Sequence, residues 1–212
     1  MRQSGKSLLA LALVATVVAL LVWTIAGDRA SQPYSVQRGG LSGWTVITSH
    51  GDEPWLLGLQ PPPALSTALF EQLSAKAGVA LVAPPQTVLP LVLRAEYDDS
   101  LQGVYGMDSL LRIARDVGIE NAVFEPICVA HRIEAGSRGP RQLFYIAFNS
   151  TGFRELRDGM MPAQPEHGGT GVYDPAALMP LLPIAASDDD FARWWPLAFD
   201  RRTDCQAPLF VQ

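Results

Sequence analysis

The side chains best suited to chemistry are three histidines, a set of carboxylates and one serine in a strand-to-helix turn. A hydrolase needs a histidine within hydrogen-bond reach of a carboxylate or a hydroxyl. The residues that could supply this arrangement are His50, Asp52, His131 and Ser150. The GxSxG pattern of a nucleophile turn is absent, and a serine that caps the following helix explains Ser150 more simply. These four residues define an alternative interpretation, an extracytoplasmic hydrolase.

The sequence predicts neither a metal nor a cofactor site. His50, His131 and His167 could together hold a metal, but their spacing matches neither HExxH nor a pair of histidines on one helix. The glycine-rich residues 168–171 follow a proline-rich loop instead of a strand, which argues against a phosphate-binding loop.

Two other groups of residues have a structural interpretation, and one of them also has a functional one. Ser187, followed by three aspartates at 188–190, predicts the N-terminus of a helix, because a hydroxyl can accept from first-turn amides and acids complement the helix dipole. Trp44, Trp55, Trp194 and Trp195 could line a sugar or peptide groove. Aromatic residues in an amphipathic helix are more often part of the core.

Charge excludes one class of partner. The chain has 16 Lys and Arg against 21 Asp and Glu, a formal net charge of −5. No cluster of basic residues follows the N-terminal segment, whereas nucleic-acid binding needs a basic patch to neutralise phosphates. We therefore expect no nucleic-acid partner.

Residues 7–27 predict a transmembrane signal anchor. They carry no charged side chain, they are long enough to cross a bilayer, and they follow Arg2 and Lys6. The sequence thus predicts a cytoplasmic N-terminus at residues 1–6, a single-pass anchor at 7–27, a linker at 28–40 and a globular extracytoplasmic domain at 41–212. Cleavage after Ala26 is the alternative, and it would leave a secreted or periplasmic protein.

Cys128 and Cys205 are the two cysteines of the chain. Outside the cytoplasm they are expected to form a disulfide that ties the C-terminal tail to a central strand. Their separation matches no zinc site.

Hydrophobic periodicity places several short helices and strands. Helices are predicted at 64–77, 87–104, 107–117, 153–158, from Asp174, and from Ser187 to Pro196; strands are predicted at 44–48, 79–83, 122–134, 143–148 and in the C-terminal tail. For residues 87–104 a strand at 91–93 is the alternative. This order predicts an α+β domain with a mixed, largely antiparallel sheet, and a doubly wound sheet is the alternative.

The main functional interpretation is a membrane-anchored extracytoplasmic module that binds a partner, such as another protein of an envelope complex. A clear anchor together with no catalytic signature favours this class over an enzyme.

Overall fold

The computed structural model describes residue 16 and residues 32–137, 139–161 and 172–212. The chain divides into two units, Met1–Gln32 and Pro33–Gln212, and all the described residues except Thr16 and Gln32 belong to the second. The predicted anchor at 7–27 lies outside the described residues, apart from Thr16. Among the residues that the structure describes, no helix is long and apolar enough to span a membrane.

The described strands are β1 Tyr34–Val36, β2 Thr45–Thr48, β3 Trp55–Gln60, β4 Leu89–Leu93, β5 Glu125–Gly136, β6 Gly139–Asn149, β7 Leu181–Ala186, β8 Cys205–Ala207 and β9 Leu209–Val211. They form three sheets. The largest is antiparallel, in the order β7-β6-β5-β8, and the second is an antiparallel sheet in the order β2-β3-β4. In the third, β1 pairs in parallel with β9.

Short helices connect and cover these sheets. They are α1 Pro63–Lys76, α2 Arg94–Glu96, α3 Met107–Val117, α4 Thr151–Gly159 and α5 Arg201–Asp204. Helix α2 continues as a π-helical turn at Tyr97–Leu101, and 3-10 turns lie at Arg38–Leu41, Ile119–Asn121 and Phe191–Trp194. The predicted α+β class, with antiparallel sheets and several short helices, is confirmed.

The core forms where apolar periodicity and burial agree. Helix α1 buries Leu65, Leu69 and Leu73, which lie four residues apart on one face. The central strand β6 is buried on both faces from Leu143 to Phe148, as expected of a strand covered on both sides. Helix α3 ends at Gly118, whose φ of 67° places it in the left-handed region that favours glycine.

The predicted helix at 87–104 is wrong in its first half. Leu89–Leu93 forms strand β4, with all five residues buried, and the helical turns begin only at Arg94. Pro90 is compatible with this strand because β4 is an edge strand of its sheet. Burial on both faces has outweighed the four-residue spacing of leucines that favoured a helix.

Three further predictions of helices and strands are wrong. Asp174 starts a turn, and the following residues, Leu181–Ala186, form strand β7. The predicted strand at 79–83 contributes only a bridge from Val82 to Ala186. The predicted helix after Ser187 shrinks to the 3-10 turn Phe191–Trp194. In that region Ser187 Oγ accepts from the Gln142 amide, and the Asp188 carboxylate accepts from Arg141, so neither caps a helix.

The strands at the two ends of the described unit hold each other. β1, which lies within the predicted linker at 28–40, pairs with β9 near the C-terminus. The other edge of β1 is occupied by Gln72 of α1, whose side chain accepts from the Ser35 amide and donates to the Ser35 carbonyl. The amide side chain thus replaces a neighbouring strand.

Candidate functional site

Two neighbouring cavities flank the loop that joins β2 to β3. The first has a volume of about 540 Å³ and the second about 650 Å³. Both are lined by Asp52, Glu53 and Pro54 of this loop and by Trp195. These four residues therefore form a ridge between the two cavities. We call the ridge and the cavities together the acidic groove.

The lining of the acidic groove is strongly negative. Its described carboxylates are Asp52, Glu53, Glu96, Asp98, Asp99, Asp174, Asp189 and Asp190, and its one described basic side chain is Arg94. Residues 33–212 contain 20 Asp and Glu against 13 Lys and Arg, so setting aside these eight acids and Arg94 leaves twelve of each sign. The net negative charge of this unit is thus concentrated in the groove.

Four of these carboxylates have partners among the described residues. Asp174 accepts from the Ala176 amide, and Asp190 lies 3.7 Å from Arg141. Glu96 pairs with Arg157, and Glu53 accepts from Ser49 and from the Gly51 amide. The hydrogen bond from Ser49 is the main reason that the pKa of Glu53 lies below its usual value.

The other four carboxylates are Asp52, Asp98, Asp99 and Asp189, and none makes a hydrogen bond or ion pair with a described side chain. All four are exposed to solvent. Like charges gathered at one site favour a cation there, because opposite charge offsets their mutual repulsion.

Aromatic and proline side chains form part of the wall of the first cavity. Trp55 and Phe191 contribute aromatic faces, and prolines 54, 84, 85 and 183 contribute the remaining apolar surface. Trp55 is 7% exposed, whereas Trp195 is half-buried and reaches both cavities. Proline rings and aromatic side chains lose little conformational entropy when a partner binds, which suits a contact surface.

A buried ion pair supports the second cavity. Arg157 of α4 is fully buried, and its guanidinium donates to both carboxylate oxygens of Glu96. The same group donates to the carbonyls of Leu91, Pro175 and Asp174. Arg157 therefore joins strand β4, helix α2 and the segment that carries Asp174, all of which lie beneath or beside this cavity.

The structure places the four predicted hydrolase residues in different surroundings. His50 and Asp52 share the β2–β3 loop, and only Asp52 lines the groove. His50 is exposed and lies 3.3 Å from Thr48 Oγ1 through its Nε2 atom. Among the residues that the structure describes, no hydrogen bond joins any two of the four. The hydrolase interpretation stays a prediction.

The side chains of His131 and Ser150 each make contacts within the fold. His131 on β5 stacks on Phe144, with 4.2 Å between the ring centroids, and its Nε2 lies 3.0 Å from Gln142 Oε1. Burial lowers the pKa of His131, and the hydrogen bond with Gln142 offsets part of that effect. Ser150 Oγ accepts from the Phe153 amide and caps helix α4, as the capping interpretation predicts.

The predicted disulfide is confirmed. Cys128 on β5 and Cys205 on β8 are bonded, with their Cα atoms 5.7 Å apart. Next to this bond, the buried Asp204 accepts from Arg132 and from the Tyr145 hydroxyl. Covalent and polar contacts thus hold the C-terminal segment against the edge of the largest sheet.

Within the described ranges, no cluster of three or more His, Cys, Asp or Glu side chains is arranged to hold a metal ion. His167 and the glycine-rich residues 168–171 lie outside these ranges.

No protein-family model, no curated protein and no solved structure matches this chain.

Sequence reasoning found part of this groove and missed the rest. It singled out Asp52 for its chemistry and Trp195 as a possible groove residue, but it assigned the aspartates at 188–190 to a helix cap. Asp98, Asp99 and Arg94 lay within a predicted helix and drew no attention. The signal that could have found them is the pair of adjacent aspartates at 98–99, which a solvent-facing helix does not require.

Proposed function

We propose that this chain is a membrane-anchored extracytoplasmic binding domain whose acidic groove receives a basic segment of a partner protein in an envelope complex. The observation that carries the proposal is the concentration of eight carboxylates and one described basic side chain around Trp195. The anchor and compartment rest on residues 7–27 and on the two cations that precede them.

Charge complementarity supports a basic occupant. The unpartnered carboxylates Asp52 and Asp189 lie on the first cavity, and Asp52, Asp98 and Asp99 lie on the second. A segment with spaced Lys or Arg residues would meet a carboxylate in each cavity. Such complementary potentials speed association and select against acidic partners.

The aromatic and proline side chains of the groove favour a peptide over a simple cation as its occupant. Trp195 lines both cavities, and a guanidinium placed over the face of a tryptophan ring is attracted to it at short range. Pro54, Pro84 and Pro85 add apolar surface for the aliphatic stems of basic side chains.

A charge-removal experiment tests the groove. The probes are two fluorescein-labelled peptides, one with four Gly-Arg repeats and one with four Gly-Glu repeats, titrated with the purified full-length chain in neutral detergent. We expect the Gly-Arg peptide alone to bind. Removing two exposed ion pairs with Asp98→Asn/Asp99→Asn should weaken its binding by about three- to tenfold at low ionic strength.

The matched control is Glu71→Gln/Asp116→Asn, which removes two exposed acids from outside the groove. This variant should bind within about twofold of the parent chain, because distant exposed charges are screened. An equal loss in both double variants, or equal binding of the two peptides, would contradict the proposal.

Topology is tested separately with a C-terminal tag. In spheroplasts, added protease should remove the tag while a cytoplasmic marker stays intact. Protection of the tag until the membrane is dissolved would overturn the proposed compartment.

A further inference from the structure

Resting on the proposed function, we infer that Arg94 is a positioning residue of the groove. It holds the β2–β3 loop in the conformation that binds the partner, and its positive charge is not what determines the affinity for the partner. Arg94 is the one described basic side chain of the lining. A basic residue in an acidic site would ordinarily weaken the attraction for a cation. Its contacts show a different role.

The Arg94 guanidinium makes three hydrogen bonds to the β2–β3 loop. Its Nε donates to the Glu53 carbonyl at 3.1 Å, and its Nη2 donates to the Gly51 carbonyl at 2.6 Å and to Ser49 Oγ at 3.1 Å. The Arg94 backbone amide donates to the Pro54 carbonyl at 2.9 Å. One residue thus contacts the loop at both of its ends and at its centre.

The loop continues this network internally. Ser49 Oγ donates to Glu53 Oε2, and the Gly51 amide donates to the same oxygen at 3.1 Å. Ser49 is 8% exposed, so its hydroxyl is a buried link between Arg94 and Glu53. Asp52 lies between these residues in the chain, lines both cavities and makes no hydrogen bond or ion pair with a described side chain.

The planar fork of arginine is needed for this geometry. A guanidinium presents several donors in fixed directions, whereas a lysine ammonium is a compact charge on a flexible stem. Lysine at this position would preserve the charge of the groove but could not hold two carbonyls and a hydroxyl together. Charge and positioning can therefore be separated by substitution.

The two roles predict changes of opposite sign. If Arg94 acts only as a charge, Arg94→Gln makes the groove more negative and should tighten the Gly-Arg peptide. If Arg94 positions the loop, the same substitution should weaken binding by about fivefold, because ordering the loop becomes part of the cost of binding. Arg94→Lys should show a similar loss despite its retained charge.

The experiment uses the full-length chain in neutral detergent, with the Gly-Arg peptide titrated at several salt concentrations. In Arg94→Gln the affinity should fall while its salt dependence stays at least as steep, since every groove carboxylate remains. The Gly51 amide should also exchange its hydrogen faster. The charge-matched control is Arg112→Gln on the exposed face of α3, which should bind within about twofold of the parent.

Ser49→Ala provides a second variant if Arg94→Gln fails to fold. It removes the buried link without changing any charge and should weaken the peptide by about threefold. Parent-like affinity in Arg94→Lys, or affinity in Arg94→Gln equal to or tighter than in Arg112→Gln, would overturn the inference. A parent chain that does not bind the Gly-Arg peptide would instead refute the proposed function.

Discussion

Removing the buried guanidinium of Arg157 should destabilise the domain strongly. The Arg157 side chain is 1% exposed and that of Glu96 is 15% exposed. The guanidinium also satisfies the carbonyls of Leu91, Pro175 and Asp174. Breaking one partner of a buried ion pair costs about 3–5 kcal/mol, because the remaining charge and its hydrogen-bonding groups stay desolvated. We therefore expect Arg157→Met to lower the free energy of unfolding by about 4 kcal/mol.

The partner substitution shows whether this cost arises from the unpaired charge. Glu96→Gln leaves a buried guanidinium with three carbonyl acceptors, and it should cost about 3 kcal/mol. The double variant Glu96→Gln/Arg157→Met removes both charges together. It should be more stable than Arg157→Met alone, because no carboxylate is left without its partner.

Urea unfolding followed by tryptophan fluorescence measures these differences. The control is Arg154→Met, on the exposed face of the same helix, which should change stability by less than about 0.5 kcal/mol. A cost of under about 1 kcal/mol for Arg157→Met, or strict additivity in the double variant, would refute the view that Arg157 stabilises the fold through a desolvated ion pair.

Two further perturbations test the largest sheet. Because burial lowers the pKa of His131 below its usual value of 6.5, its contribution to stability is complete above pH 6.5 and is lost as the pH falls below that value. The melting temperature of the parent should therefore fall more between pH 7 and pH 5 than that of His131→Gln. The control variant His50→Gln should lose as much melting temperature as the parent. Parallel curves of melting temperature against pH for the parent and His131→Gln would contradict this prediction. Replacing both Cys128 and Cys205 with serine should lower the free energy of unfolding by roughly 4 kcal/mol, by the loop-entropy argument. Urea unfolding of this variant, of the parent and of the reduced parent measures the difference. A decrease below about 1 kcal/mol would show that the bond does not constrain the unfolded chain.

The groove combines residues from distant parts of the chain. Asp52 follows β2, Asp98 and Asp99 follow β4, and Asp189 follows β7. Each is exposed and individually unremarkable on a surface. They form one acidic site because strands of two sheets end near the same cavities.

Local patterns in the sequence determined several features by themselves. The leucines at 65, 69 and 73 recur on one helical face, and Gly118 ends the next long helix, because helix periodicity and left-handed backbone are properties of neighbouring residues. The β5–β6 hairpin and the Cys128–Cys205 bond were also predictable, the first from short-range apolar runs and the second from a count of two cysteines.

Tertiary structure alone decided the features that depend on distant partners. Leu89–Leu93 became a strand because it is buried on both faces beside β3, although its spacing favoured a helix. Asp188 pairs with Arg141, 47 residues away, although its neighbours suggested a helix cap. The acidic groove belongs to this second class, because folding brings its carboxylates together and leaves four of them without an ion pair to a described side chain.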